Sequence, residues 1–463
     1  MIGKNELFIL LLSLFICTST SAEIFNIPED YTSIQLAIDA ASSTDTLVLA
    51  DGTYWEHLTL TGKSLTLASE FLQDGDSTHM EHTRLQGNNN NRIINVHGDS
   101  SSDISLTIIG LTLRDGDATK LHPPLGGAIL LQRADLVIET CRFTNCRAEN
   151  GAALSTDNGN VEIRNCMVDS CTAKENLNII LTVTGNFKFE STLYKDNVGT
   201  PLSGRNGGGI VRANHFFRNS TQGDGGGAHL TGEGGYSWLI VDNMFQENRA
   251  RFGGGISVAR CDSLLIEKNQ FIANVAFDDT TAVGGNGGAI EVLSSNYCLI
   301  RNNHFERNIA YVLGGALKLD VSATIEENRF KGNLGGIVSC LFATPGKSRK
   351  SSILFRRNGV TEHKKYRYKE YRTEYQGAIS IYVNTSLKAD SNTFMKNLGL
   401  VLYTYQQADK IDVQNNYWGA ENGPYHSELN PVGTGDSLDV RITESMVQPW
   451  AVTPFHVDDP QGQ

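Results

Sequence analysis

Between Gly253 and Asn333 one phrase is written three times: GGGISVARCDSLLIEKNQFIAN, GGAIEVLSSNYCLIRNNHFERN and GGALKLDVSATIEENRFKGN. Each copy opens on glycines, passes through two short apolar runs and closes on Asn-x-Phe-x-x-Asn. A unit of this size cannot bury an apolar face alone. Copies must therefore stack into one continuous core. For that reason the 463 residues are read as one solenoid rather than two or three separate domains.

The phrase extends along the chain. Taking the aromatic position as an anchor gives Phe143, Val168, Tyr194, Phe216, Phe245, Phe271, Phe305, Phe330, Phe355, Phe394 and Tyr417. The commonest spacing is 25 or 26 residues, as from Phe143 to Val168 and from Phe245 to Phe271. Three strands of about 4–6 residues with three turns use that length. Roughly 13 such turns at ~4.8 Å each predict a rod about 60 Å long.

Within a turn, one arc is rigid. From the opening glycine to the next anchor the distance is 18 for Gly253 to Phe271, 16 for Gly314 to Phe330 and 17 for Gly377 to Phe394. From anchor to next glycine it swings from 8 (Phe245 to Gly253) to 22 (Phe355 to Gly377). Insertions therefore gather at one corner, which in solenoids is often the binding edge. The span from Tyr194 to Phe216 does not register cleanly.

Stacking turns this pattern into columns. The anchors predict an inward ladder of rings. The flanking asparagines, such as Asn269 and Asn274 or Asn303 and Asn308, predict amide ladders that satisfy buried turns. Cys141, Cys146, Cys166 and Cys171 occupy the same slots. Cys141 is expected to stack on Cys166, and Cys146 on Cys171. Packed free thiols lead this reading. Disulfides across each pair in an oxidising compartment, and a four-cysteine metal site, are the alternatives. The two columns do not converge on one ion.

Residues 1–22 read as a secretory signal. Lys4 precedes the apolar run Leu7 to Cys17, and Thr20, Ser21 and Ala22 supply small residues before a cut. The run is short for a bilayer span. The expected product is exported, to an extracellular, cell-surface or periplasmic location, and does not span a membrane. Residues 23–69 read as an N-terminal cap with a short helix and first strands, with Thr46 to Ala50 as the first strand. Residues 70–432 form the solenoid, including one strand from Leu106 to Leu113. Residues 433–463 form the C-terminal cap. A net charge of −12 argues against a nucleic-acid partner, which would call for a basic face.

The Ile27-Pro28, Tyr31, Ile34-Gln35, Ala37-Ile38 stretch and the Asp51-Gly52-Thr53-Tyr54 turn resemble the opening of secreted proteins of the pectate-lyase-like superfamily. The resemblance implies an all-β fold: a single-stranded right-handed parallel β-helix with a short N-terminal capping helix. The Gly-Gly-Ala-[Ile/Leu] and Phe-x-x-Asn phrases from Leu113 to Asn397 resemble the repeats of polymorphic outer-membrane proteins. That likeness implies an adhesin-like surface protein. The run from Asn415 through Trp418 to Gly433 looks like the last turns of secreted β-helix proteins, with Trp418 either covering core or stacking on a ligand.

Several catalytic phrases of the superfamily are absent from the sequence. These are Arg-x-Pro-x-x-Arg, the set of Asn-Thr-Asp, paired aspartates, Gly-His-Gly and Arg-Ile-Lys, and Asp-Pro-His-Asp. Asp278 and Asp279, in an insertion, are weak calcium candidates beside the blander reading of a solvated acidic loop. Asp115 and Asp117 are no stronger. No other cofactor is indicated. The most unusual insertion is Thr361 to Tyr375, where Lys364, Lys365, Arg367, Lys369 and Arg372 alternate with Tyr366, Tyr368, Tyr371 and Tyr375. With Lys347, Arg349, Lys350, Arg356 and Arg357, residues 347–372 hold ten basic and two acidic residues. Such a stretch suits an anionic glycan through charge and ring contact. Its plain alternative is a solvated hairpin. The leading expectation is a non-catalytic surface or matrix protein that binds polysaccharide or another cell-surface ligand. The alternative is a polysaccharide lyase or hydrolase, which two or three acids and a base gathered on one sheet would favour.

Overall fold

The computed structural model describes residues 22–98, 104–174, 177–233, 235–277, 284–346, 350–365, 377–397, 399–404, 410–439 and 441–455. Among these, the chain winds into three parallel sheets, here A, B and C, of 15, 13 and 15 strands. Chain neighbours within a turn lie on different sheets. Strand partners along the solenoid come from the next turn, as in Leu264↔Cys298 on sheet A, Phe271↔Phe305 on sheet B and Ile256↔Ile290 on sheet C; only at the C-terminal end of the described residues do consecutive strands, Pro424–Tyr425 and Gly435–Leu438, pair within sheet C. This is the parallel β-helix the repeat predicts. A two-residue corner strand after sheet B, such as Val275–Ala276, adds narrow ladders of two and five strands.

The corners explain the asparagines. The residue before each ladder position is left-handed, as at Lys268 (φ 56°) and Ala273 (φ 54°). Such a corner directs the next side chain inward, where backbone carbonyls lack partners. Asn274 shows how these are met: its Nδ2–H donates to the Phe245 carbonyl at 2.7 Å and to Asn308 Oδ1 at 3.0 Å, while its backbone N–H donates to the same Oδ1 at 3.0 Å. One ladder runs through Asn214, Asn243, Asn269, Asn303, Asn328, Asn358, Asn392 and Asn416. The other runs from Asn197 to Asn333. His363 takes the next place in it, with its Nδ1 3.2 Å from the Asn333 carbonyl.

The ring column forms between the ladders. Tyr194, Phe216, Phe245, Phe271, Phe305 and Phe330 stack at centroid distances of 4.7–5.0 Å. Tyr194 pairs directly with Phe216, so the span that does not register by sequence is regular on sheet B. Two anchors differ from expectation. Val360, not Phe355, pairs with Phe330 on sheet B; Phe355 lies on sheet A opposite Ile325. Val360 is too small to fill its slot, and the Phe355 ring enters from the adjoining face, 6.0 Å from Phe330 and 6.5 Å from Phe394. At the end, Trp418 rather than Tyr417 continues the column, stacked on Phe394 at 4.7 Å. Trp418 is 1% exposed, so it covers core and offers no ring to a ligand.

The ends also differ in detail. Ile24–Ile27 pairs ahead of Thr46–Leu49 and is the first strand of sheet A. The run from Leu106 to Leu113 is broken at Gly110 (φ 68°) into a sheet A strand, Ser105–Ile109, and a sheet B strand, Thr112–Arg114. A helix over Ile34–Ala40 caps the N-terminal end. Ser33 accepts the Leu36 N–H at its start, and Ile34, Ala37 and Ile38 are buried. No helix of the described residues is long and apolar enough to cross a membrane.

Candidate functional site on sheet C

Outward-facing side chains on a sheet are usually solvated. On the middle of sheet C they are not. The outward row runs Ser203, His229, Ser257, Glu291, Lys318 across five successive turns. Ser203 and Ser257 are 0% exposed, Glu291 is 2% and Lys318 is 8%. The hydroxyls of Ser203 and Ser257 and Nδ1 of His229 are shielded from solvent, with no hydrogen-bond partner among the described residues. Buried polar atoms left unmet are costly, and a concentration of them needs an explanation.

The sequence builds this row through its glycines. Gly225, Gly253, Gly287 and Gly314 open their turns in the left-handed region (φ 58° to 70°). At Gly287 a Cβ would stand 2.4 Å from the Ile290 carbonyl oxygen, so no larger residue makes this entry. Four residues on, the chain presents His229, Ser257, Glu291 and Lys318 outward, while Leu230, Val258, Val292 and Leu319 point into the core.

Charge is concentrated around the row. Lys318 Nζ lies 3.6 Å from Glu291 Oε1 and also contacts the Asp320 carboxylate, whose other oxygen accepts from Thr344 Oγ1 at 2.6 Å. Burial, the largest influence, holds the Glu291 carboxyl up at about 8; Lys318 opposes this, and Asp224 and Asp320 add to it. Glu291 therefore keeps its proton at neutral pH. Burial lowers the His229 imidazole below its usual value against the pull of Asp224, whose Oδ2 lies 4.0 Å from Nδ1. His229 is therefore neutral and able to accept a proton. Beside it a pocket of about 250 Å³ is lined by Asp224, His229, Arg205 and Arg251 among others. Three acids, a histidine and a lysine thus share one face.

Of the candidate ligand residues singled out from sequence, two are described. Lys364 and Lys365 form a corner strand against Leu334 and Gly335, with Lys364 exposed. Tyr366, Arg367, Tyr368, Lys369, Tyr371, Arg372 and Tyr375 lie outside the described residues, as do Asp278 and Asp279. The described basic residues of the stretch lie apart from one another. Arg356 and Arg357 pair with Glu326 and Glu327 at 2.6 Å. Lys350 precedes sheet A at one end of a sheet C strand, whereas Lys364 stands at the corner leading into sheet C from the other side. Asp115 is committed to Arg114 at 3.0 Å and to Asn145, and Asp117 caps Thr119, so neither is set out for calcium.

The seven cysteines among the described residues are free and buried. Cys141 and Cys166 stack, with the Cys141 N–H directed at Cys166 Sγ at 3.4 Å. Burial drives the Cys166 and Cys171 thiols well above their usual range. The donor set nearest to a metal centre is elsewhere: Asp51, Glu70 and His79, with ligand atoms within 4.8 Å of one another. There the hydrogen bond to Asp51 (2.8 Å) chiefly holds the His79 imidazole up at about 9, and Asp74 accepts from its other nitrogen at 3.1 Å. A protonated ring satisfies that cluster.

Comparison with known proteins bears on the fold. Among curated proteins none matches this sequence. Among solved structures, a mannuronic acid specific family 6 polysaccharide lyase from human gut microbiota is 12% identical over 85% of this chain and 87% of its own, with a TM-score of 0.32. DFA-IIIase from Arthrobacter chlorophenolicus A6 is 10% identical over 84% of this chain and 99% of its own, with a TM-score of 0.33. Pectate lyase Pel9A is 12% identical over 81% and 80%, with a TM-score of 0.28. Likeness at that level carries no functional weight. The description "Right handed beta helix region" matches residues 84–271 and 226–417, which together span most of the solenoid. On its repeat, its three parallel sheets and this match, the chain belongs to the right-handed β-helix family.

Proposed function

We propose that this protein is an exported enzyme that hydrolyses an acidic polysaccharide on sheet C. The observation that carries the reading is Glu291: a buried carboxyl held protonated at neutral pH, on one row with a neutral His229 whose Nδ1 has no hydrogen-bond partner among the described residues. A proton donor and a proton acceptor on one face are what glycosidic cleavage requires. Their strands lie two turns apart, ~10 Å, on the scale of the 6.5–9.5 Å by which inverting hydrolases separate acid from base.

In this scheme the Glu291 proton passes to the leaving glycosidic oxygen. The Lys318 ammonium then stabilises the carboxylate left behind. His229, beside Asp224, takes a proton from water as the water oxygen bonds to the anomeric carbon. Arg205 and Arg251 line the pocket at His229 and supply the planar forks that suit sugar carboxylates or sulfates. The repeat glycines fix the row, so the groups are preorganised on rigid strands rather than on loops.

Binding without cleavage is the second reading, favoured by the 2% exposure of Glu291. The test is incubation of the full chain with polygalacturonate, alginate and a sulfated glycan, scoring new reducing ends and ultraviolet-absorbing unsaturated ends. New reducing ends that vanish in Glu291→Gln support hydrolysis. Unsaturated ends would replace hydrolysis by elimination. Glycan retention with no new ends in the wild type would leave the non-catalytic reading.

A further inference from the structure

At the N-terminal end of the solenoid, residues 70–82 leave the sheet A strand Leu65–Ser69 and fold into two short helices, Phe71–Asp74 and Thr78–His82. They rejoin sheet B at Thr83–Gln86. Gly52 pairs with Thr83 on that sheet, so Asp51 stands one turn earlier, at the corner where the insertion returns. The fold thereby sets His79 Nδ1 2.8 Å from Asp51 Oδ1 and 3.7 Å from Glu70 Oε2.

These spacings suit a shared ion. Ligand atoms held about 2.1 Å from one centre stand roughly 3–3.5 Å apart in tetrahedral or octahedral arrangement. The values of 2.8 and 3.7 Å bracket that range, and all three ligand atoms lie within 4.8 Å of one another. Two of the donors are also oriented from outside. His79 Nε2, turned away from the other two donors, lies 3.1 Å from Asp74 Oδ2, and buried Thr83 donates its hydroxyl to Asp51 Oδ1 at 3.1 Å. A histidine whose far N–H is held by a carboxylate, beside a carboxylate that is itself hydrogen-bonded, is the arrangement that fixes metal ligands. Charge points the same way. In the metal-free protein the proton on His79 Nδ1 sets one positive charge against Asp51, Glu70 and Asp74; a divalent ion in its place sets two. His82 Nδ1, 4.0 Å from Asp51 Oδ2, is at hand as a fourth donor. Asp51 is exposed, which leaves the cluster open to solvent.

We propose that Asp51, Glu70 and His79 hold a divalent transition-metal ion, zinc by donor set, that pins residues 70–82 to the first turn of the solenoid. A nitrogen donor at the centre disfavours calcium and magnesium, which take oxygen ligands, whereas imidazole with carboxylate suits zinc. An ion bound by the folded chain alone stabilises it. Its place is the end of the solenoid, where a turn has a neighbour on one side only. The site is separate from the row on sheet C and stands whether or not that row cleaves.

The experiment uses the full chain, stripped with a chelator and titrated calorimetrically with zinc and, separately, with calcium. One zinc per chain is expected, with a raised melting temperature and a calcium affinity weaker by roughly tenfold or more. Cobalt is expected to give visible absorption bands that zinc abolishes. Glu70→Gln and His79→Gln are each expected to weaken zinc by about tenfold or more, whereas exposed His57→Gln leaves it within about twofold. Glu70 lies beyond hydrogen-bond distance of Nδ1, so metal-free Glu70→Gln is expected to melt close to wild type, which keeps the test valid if His79→Gln unfolds. No zinc binding, unchanged affinity in Glu70→Gln, equal affinity for calcium, or zinc uptake without fixed stoichiometry, meaning an adventitious ion only, overturns the proposal. None of these readouts depends on polysaccharide cleavage.

Discussion

Lys318 Nζ lies 3.6 Å from Glu291 Oε1, one turn of the solenoid away, and its remaining reach is taken by Asp320. The ammonium does not hold Glu291 ionised. Desolvation outweighs it, and the carboxyl sits at about 8. A folded-state value raised above the unfolded 4.5 stabilises the fold most below pH 4.5, and that contribution is lost as pH rises through about 8. Two outcomes are expected. Cleavage declines above about pH 8 as the donor proton is lost. Glu291→Gln lowers turnover by roughly 100-fold or more and flattens the fall in melting temperature between pH 5 and 9. A variant with unchanged turnover would remove Glu291 from the chemistry.

His363 makes the opposite prediction. It stands in the second amide ladder, with its backbone N–H donated to Asn397 Oδ1 at 3.1 Å and its Nδ1 3.2 Å from the Asn333 carbonyl. Complete burial depresses the imidazole to about 4. A folded value below the unfolded 6.5 leaves stability intact above pH 6.5 and erodes it as pH falls towards 4. His363→Asn restores the side chain used elsewhere in the ladder. Melting temperatures at pH 7 and pH 4.5 are expected to converge in the variant. Equal acid loss in both proteins would show that other groups set acid stability.

The ladder itself is open to a direct test at Asn308. Its Nδ2–H donates to the Phe271 carbonyl at 2.7 Å and to Asn333 Oδ1 at 2.9 Å, and its Oδ1 accepts twice from Asn274. Asn308→Ala leaves several buried groups without partners. A loss of about 3 kcal/mol is expected from the cost of unmade buried hydrogen bonds. Exposed Asn296, whose Nδ2–H donates to Asp262 at 2.8 Å, provides the control; its alanine variant is expected within about 0.5 kcal/mol of wild type. Chemical denaturation of the two variants side by side reads the difference.

The stacked cysteines are expected to be inert in the native protein. Cys141, Cys146, Cys166 and Cys171 are buried, and Cys166 and Cys171 strongly resist ionisation. A thiol reagent at neutral pH is expected to label none of these four until the chain is unfolded, when all eight thiols of the sequence react, or seven if residues 1–22 are removed. Four fewer thiols after unfolding without reductant would reveal two disulfides across the stacked pairs.

Much of the scaffold was written in local pattern. A repeat of 25 or 26 residues, glycine entries and Asn-x-Phe-x-x-Asn closures define a stacked solenoid without long-range information, because each turn contacts only its neighbours. The same logic placed Cys141 beside Cys166. It failed where two faces compete for one volume: Phe355 fills the space beside Val360 from sheet A, so a Phe-x-x-Asn match alone misassigned the turn.

The site followed a different rule. His229, Ser257, Glu291 and Lys318 share one slot, four residues after a glycine. That slot is legible once the register is known, but a polar outward position on a strand is ordinarily a solvated one. Sequence therefore determined the axis, the corners, the columns and which residues face outward. Only the tertiary structure decided that Ser257, Glu291 and Lys318 of this outward row are buried, that Lys318 and Asp224 act on Glu291, and that Arg356 and Arg357 are spent on Glu326 and Glu327. The physical reason is that side-chain direction is a local property of the backbone, whereas desolvation and charge depend on what neighbouring turns bring against the sheet.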